Sequence, residues 1–246
     1  PSEQYFLGNS IVKFRLYNWI IWRDLVKVIA GELVPTTGSH TWDFNSDHVL
    51  PQLLTTKDKS LQFIIDCIYR AYGHQQNASF TKWGDTTPMN TRSIPEIYKT
   101  FPKAKYIFLL RDGRDVVTSY VSAGTSYLGE LAHPEKAALH WQNALKSYEW
   151  LAKKAEVFLV RYEDLVTHPK STLQNISRHL DISFQERMLH HEQSPPQVSM
   201  YREPQHEKVF RPVDTSSIGR WKYNLKPEEH KVFAVIEKEL IKYGYQ

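Results

Sequence analysis

The chain has 246 residues, 41% hydrophobic and 24% charged, an ordinary globular composition and a length that suits one α/β domain over residues 1–246 with no linker forcing a split. Its net charge of +4 comes from 31 cations and 27 anions spread along the length, with no dense basic stripe interleaved with aromatics, so no nucleic acid partner is expected. Cys67 is the single cysteine, which rules out an internal disulfide and a cysteine-based metal site, suits a reducing compartment and leads to the expectation of a cytoplasmic protein.

Residues 1–8 read as a loop ending in aromatics. Ser10 is positioned to cap a helix through about Ala30, with Gly31 as its stop. That stretch comes nearest to a membrane span, but Lys13, Arg15, Arg23, Asp24 and Lys27 interrupt it, and no membrane span is expected. Its Trp19 and Trp22 are read as core packing, with a membrane-surface or substrate contact as the sharper alternative. Residues 31–59 are loop-rich, and their His40, Trp42, Asp43, Asp47 and His48 lack metal-ligand spacing, so no metal is expected. Ser60–Tyr72 has helical periodicity and carries Cys67 among isoleucines, as a core residue. Ser79–Trp83 reads as a short strand, and Thr91–Thr100 as a short helix despite Pro95, or as two turns broken by it.

Tyr106–Leu110 is an apolar run that predicts a strand buried on both faces of a parallel sheet. Arg111 follows at its end, then an Asp112-Gly113 turn and a helix over Asp115–Ser122. Such a helix is expected to present unpaired N–H groups beyond the strand end, where α/β proteins bind anions. Ser122–Ala132 has loop character. Pro134–Ala155 is the clearest helix, with Leu139, Ala144, Leu145, Tyr148 and Leu151 as its apolar members. Glu156–Val160 predicts a second parallel strand, and Lys170–Leu180 and Phe184–Gln193 predict helices. Residues 194–216 read as mostly irregular, and Lys226 opens a last amphipathic helix to about Leu240. The alternation predicts a parallel sheet flanked by helices.

Three separated pieces carry the chemistry. Arg111 and Ser119 are eight residues apart on a strand end and the following helix. RYEDL, Arg161–Leu165, ends the second strand, and Ser217-Ile218-Gly219-Arg220-Trp221 lies near the C-terminus. An arginine fork donates two hydrogen bonds to phosphate oxygens, so the first piece is an oxyanion grip.

In this order, with Lys82-Trp83-Gly84-Asp85 and Phe101-Pro102 ahead of them, the pieces resemble the sulfotransferases that use 3'-phosphoadenylyl sulfate, nearest the bacterial and tyrosylprotein branches. The resemblance spans nearly the whole chain. It implies a P-loop NTPase-like sulfotransferase fold and transfer of a sulfuryl group to a hydroxyl acceptor, whether carbohydrate, phenol or tyrosine-like, leaving adenosine 3',5'-bisphosphate as product. It implies that Arg111 and Ser119 grip the donor's 3'-phosphate, that Tyr162 meets the adenine and that Arg220 closes over the same phosphate. Gln205 falls near another donor contact, without the serine expected there. Glu3, within Pro1-Ser2-Glu3, matches the catalytic base, with His40, His48 and His74 as rival bases. The oligomeric state is not readable.

The sequence departs from the family at two places. No segment supplies the Gly/Ser/Thr-rich phosphate loop between strand and helix, and the N-terminal strand-loop-helix is expected to lie upstream of Pro1. Thr86 stands where relatives often have a lysine that supports the leaving group. Two rival readings remain: a catalytically inactive sulfotransferase-like binding module, and, less favoured, a P-loop kinase-like phosphotransferase, for which no Walker motif is visible.

Overall fold

The computed structural model describes residues 6–33, 44, 46–75, 80–193 and 210–245. They form two compact units, one ending at Ala104 and the other beginning at Lys105.

The first unit is helical. Helices α1 (Phe6–Leu16) and α2 (Trp22–Ala30) replace the single helix expected from Ser10 to Ala30. The break is made locally: the Trp19 indole N–H donates to the Leu16 carbonyl, and Ile20 N–H turns back to Tyr17. Those bonds take up the orphan groups at a helix end, so α1 stops without a proline or glycine. Trp19 is 77% exposed, against the core role expected of it, whereas the Trp22 indole donates to the Leu53 carbonyl. Leu53 belongs to α3 (Leu50–Thr55), a helix inside the stretch expected to be loop. Pro51 sits in its first turn, where the missing N–H costs nothing.

Helix α4 (Leu61–Gln75) is the spine of this unit. Ser60 Oγ accepts the Phe63 N–H at its start, and Ile64, Ile65 and Ile68 are fully buried. Each such side chain contributes about 1.5–3 kcal/mol relative to exposure. Cys67 is buried among them, and burial pushes its thiol pKa up to about 11, as suits a core residue. The strand expected at Ser79–Trp83 does not form over its described part, Phe80–Trp83. Trp83 instead stacks on Tyr69 at 4.2 Å and gives its indole N–H to Asp66. These side-chain anchors hold the backbone where no neighbouring strand pairs with it. The unit ends with a 3-10 turn, Pro88–Ser93, and α5 (Ile94–Thr100).

The second unit holds the sheet. Strands β1 (Tyr106–Leu110) and β2 (Val157–Arg161) are parallel, in register from Tyr106 opposite Val157 to Leu110 opposite Arg161. Between them run α6 (Gly113–Ala123), α7 (Thr125–Leu128), a 3-10 turn at Gly129–Ala132 and α8 (Pro134–Ala152). The loop expected at Ser122–Ala132 is therefore made of short helical turns. Double-sided burial of β1 is not observed: Ile107 is 40% and Leu109 53% exposed, while Leu110 is buried. In α8 the buried side chains are Ala137, Ala138, Trp141, Leu145 and Leu151, and Leu139 faces solvent.

After β2 come α9 (Tyr162–Thr167) and α10 (Pro169–His179), then 3-10 turns at Glu186–Leu189 and His191–Gln193 in place of one helix. Of the segment expected to be irregular, residues 194–209 lie outside the described residues. The chain then forms α11 (Trp221–Asn224), a 3-10 stretch over Pro227–Val235 and α12 (Glu237–Lys242). Leu225, Val232, Ile236, Leu240 and Tyr245 from this end complete one core with Leu110, Val117, Trp141 and Leu145. Among the described residues, no helix is long and apolar enough to cross a membrane.

Candidate functional site

The site is built where β1 ends. Trp141 on α8 donates its indole N–H to the Arg111 carbonyl at 3.0 Å, which anchors the first residue beyond the strand. A Cβ added to Gly113 would lie 2.9 Å from both the Trp141 ring and Ile236, so this position has room only for glycine. Close approach of helix and core, rather than an unusual turn conformation, is what demands the residue.

Asp112 closes the start of α6. Its carboxylate accepts the Arg114 backbone N–H at 2.9 Å and forms a forked ion pair with the Arg114 guanidinium, at 3.0 and 2.8 Å. Of the first-turn N–H groups this helix is expected to offer a ligand, that of Arg114 is therefore taken within the chain. A carboxylate of the chain itself supplies the negative charge that a helix N-terminus favours.

Register supplies the first of them. Leu110 pairs with Arg161, so the next residues on the two strands, Arg111 and Tyr162, stand side by side, with the guanidinium 4.5 Å from the ring centre. Such a stack is worth about 0.5–1 kcal/mol at exposed sites and more when dry. Arg111 Nη2 also donates to the Ser217 carbonyl at 2.5 Å, and its Nε is buried with no hydrogen-bond partner. A buried, unsatisfied donor on a cation calls for an acceptor.

Glu163 follows Tyr162 and ties the two strand ends together. One of its oxygens accepts the Asp112 N–H at 3.0 Å and the other accepts the Tyr245 hydroxyl at 2.9 Å. Burial, and after it the Glu163 charge, holds the Tyr245 pKa well above the usual phenol range, so the hydroxyl stays a donor. Arg161 completes this corner, lying 4.3 Å from the Tyr245 ring centre and donating to the Tyr243 carbonyl.

The third piece reaches the same place. Asp115, 1% exposed, accepts the Gly219 N–H at 2.7 Å and the Trp221 N–H at 3.0 Å. Arg114 lies over the Trp221 ring at 4.3 Å, and Gly219 has φ +72°, a conformation that favours glycine. Arg220, between them, is half-buried, and its guanidinium has no ion-pair or hydrogen-bond partner among the described residues. Ser119 is half-buried on α6, and no hydrogen bond joins it to Arg111.

The structure thus brings Arg111, Tyr162 and the segment carrying Arg220 together, with Ser119 on the same helix as Asp115. Glu3, Gln205 and His40 lie outside the described residues. His48 and His74 are exposed. Asp85, in the first unit, accepts from the Tyr69 hydroxyl, the Thr87 N–H and the Asn90 amide, whereas Thr86 is exposed. Among the described residues no group of three or more His, Cys, Asp or Glu is arranged to hold a metal.

Sequence reasoning missed Asp112, Arg114, Asp115 and Glu163. The signal was present in two places, an Arg-Asp-Gly-Arg-Asp run at the strand end and the acidic residue after Tyr162. Reading it required knowing which backbone donors would face those carboxylates.

A parallel strand pair crossed over by helices defines an α/β protein, with Arg111 just beyond the first strand as its candidate anion contact. The chain belongs to the sulfotransferase family, whose family model matches residues 25–186. It is 29% identical over 196 residues to protein-tyrosine sulfotransferase 1 of Danio rerio, covering 76% of this chain and 54% of that protein. It is 30% identical over 141 residues to protein-tyrosine sulfotransferase A of Caenorhabditis elegans, covering 54% of this chain and 37% of that protein. The chain therefore spans about half, or less, of the length of these relatives. Its fold resembles the sulfotransferase domain of the Synechococcus PCC 7002 olefin synthase, with TM-score 0.59, 16% identity and coverage of 96% of this chain and 84% of that one. It also resembles the sulfotransferase domain from the curacin biosynthetic pathway, with TM-score 0.55, 20% identity and coverage of 78% and 72%. The α/β sulfotransferase fold expected from the motifs is the fold observed.

Proposed function

We propose that this chain anchors the donor in a sulfotransferase that moves a sulfuryl group from 3'-phosphoadenylyl sulfate to a tyrosine hydroxyl of a peptide. The observation that carries the reading is the meeting of Arg111, Tyr162 and the Arg220 segment at one strand end. The acceptor is suggested by the names of the relatives, which are protein-tyrosine sulfotransferases.

The residues fit the donor. Arg111 carries a buried unsatisfied Nε, the Arg220 guanidinium has no partner among the described residues, and Ser119 adds a hydroxyl. Two guanidiniums and a hydroxyl match a phosphate dianion in charge and in donor number. Arg111 takes one face of Tyr162, which leaves the other face and the hydroxyl to a purine. When bound, the donor supplies an electrophilic sulfur and a phosphate leaving group. Arg111, Ser119 and Arg220 hold its 3'-phosphate and so orient it for in-line attack. Glu3 receives the proton of the acceptor hydroxyl as its oxygen bonds to sulfur and the sulfur–oxygen bond to the phosphate breaks.

Calorimetric titration with adenosine 3',5'-bisphosphate tests the donor reading. Arg111→Ala is expected to weaken binding about a hundredfold, the scale of a lost charge-assisted pair. Equal affinity in the variant removes the assignment. Mass spectrometry of a tyrosine peptide incubated with donor tests the chemistry, with Glu3→Gln expected to bind product and fail to transfer. Tight binding without transfer to any hydroxyl leaves a donor-binding module instead.

A further inference from the structure

We infer that Asp115 is a positioning residue that presents Arg220 to the bound anion. The inference rests on the donor reading above and adds a residue to it. Asp115 is the most deeply buried carboxylate at the site, 1% exposed, in the first turn of the helix that follows Arg111. A buried carboxylate beside an anion pocket opposes anion binding unless its charge is already satisfied. Here both oxygens are taken, one by the Gly219 N–H and the other by the Trp221 N–H.

Those two donors flank Arg220, so the carboxylate grips the peptide on both sides of the guanidinium. The geometry has a second brace, because Arg111 Nη2 holds the Ser217 carbonyl and Arg114 lies over the Trp221 ring. Residues Arg111 to Asp115 therefore template the conformation of Ser217–Trp221, 104 to 106 residues away. The Gly219 φ of +72° belongs to this shape, in which the N–H groups of residues 219 and 221 both face one carboxylate. The Arg220 carbonyl accepts the Tyr223 and Asn224 N–H groups, but its guanidinium has no hydrogen-bond or ion-pair partner among the described residues. Its placement is delegated to Asp115.

The role predicts coupling. Asp115→Asn keeps the shape but loses one acceptor oxygen and turns a donor toward a backbone N–H. It is expected to weaken adenosine 3',5'-bisphosphate binding about tenfold when Arg220 is present, and less than about twofold in an Arg220→Ala background. Gly219→Ala is the companion variant, because its added Cβ meets nothing within 4 Å while its φ becomes strained. It tilts the same segment without touching Asp115 and is expected to show the same dependence on Arg220. Calorimetry reads affinity, and thermal melts confirm that the variants are folded.

If Asp115→Asn weakens binding equally with and without Arg220, the residue is general scaffolding and the inference falls. If Asp115→Asn leaves affinity unchanged, the inference also falls. Should that variant fail to fold, Gly219→Ala decides by the same two comparisons. Wild-type protein that does not bind adenosine 3',5'-bisphosphate removes the donor reading and this inference with it. Wild-type binding combined with either failure above removes the inference alone.

Discussion

The Arg111 guanidinium lies 4.5 Å from the centre of the Tyr162 ring because their two strands end in parallel register. The stack joins the cation to the aromatic side chain, so the ring sets where the guanidinium rests. Tyr162→Leu is expected to weaken adenosine 3',5'-bisphosphate binding about tenfold by freeing Arg111, while Tyr162→Phe, which keeps the stack, loses less than about threefold. Calorimetry on both variants checks this, and equal losses would show that the hydroxyl rather than the ring matters.

Gly113 has the closest neighbours of the glycines in the second unit. Gly113→Ala forces a methyl group into the Trp141 ring and Ile236, both at 2.9 Å, and Trp141 is itself tethered to the Arg111 carbonyl. A loss of about 1–3 kcal/mol is expected from such overpacking. Gly84→Ala meets nothing within 4 Å and is expected to stay within about 0.5 kcal/mol of wild type. Urea unfolding of the pair makes the comparison.

Glu163 carries one bond to each of two distant partners. Tyr245→Phe removes the hydroxyl donor and is expected to cost about 1 kcal/mol. Glu163→Leu strips both acceptors, leaves the Asp112 N–H unpaired and is expected to cost about 2–3 kcal/mol. A smaller effect for Glu163→Leu than for Tyr245→Phe in urea titrations would contradict the tie between the strand ends.

Cys67 makes an alkaline prediction. Its thiol pKa rises from an ordinary 9.0 to about 11, first through burial and then through the neighbouring Asp66 charge. The folded state therefore holds the proton more tightly than the unfolded state. The corresponding stability is fully present below pH 9 and is lost as pH rises toward 11. Denaturant midpoints are expected to fall across that window, and to fall less steeply in Cys67→Ala. Tyr69 and Tyr245, also pushed upward by burial, act in the same direction and leave a residual slope. Native protein at pH 8 is expected to resist thiol alkylation until unfolded.

Local chemistry made much of the fold legible. Tyr106–Leu110 is read as a strand with the bounds observed, and the helices at Leu61–Gln75 and Pro134–Ala152 are found within a few residues. These segments advertise themselves through apolar runs and periodicity, which depend on neighbours in the chain. The failures share a different cause. The break between α1 and α2 depends on where the Trp19 indole goes, and the lost strand at Phe80–Trp83 depends on Tyr69 and Asp66. Side-chain bonds of this kind leave no periodic trace.

The site divides along the same line. By itself, the sequence determined that Arg111 ends a strand, that Tyr162 begins beyond a second one and that a cation, Arg220, sits in a glycine-containing segment. Tertiary structure decided that the strands pair so as to set Arg111 on Tyr162, that Asp112 turns its carboxylate to Arg114, and that Asp115 spends its charge on Gly219 and Trp221. The physical reason is the satisfaction of buried polar groups. A carboxylate's residue type is written in the chain, but the N–H groups that satisfy it arrive from 104 and 106 residues away, and only the folded core brings them there.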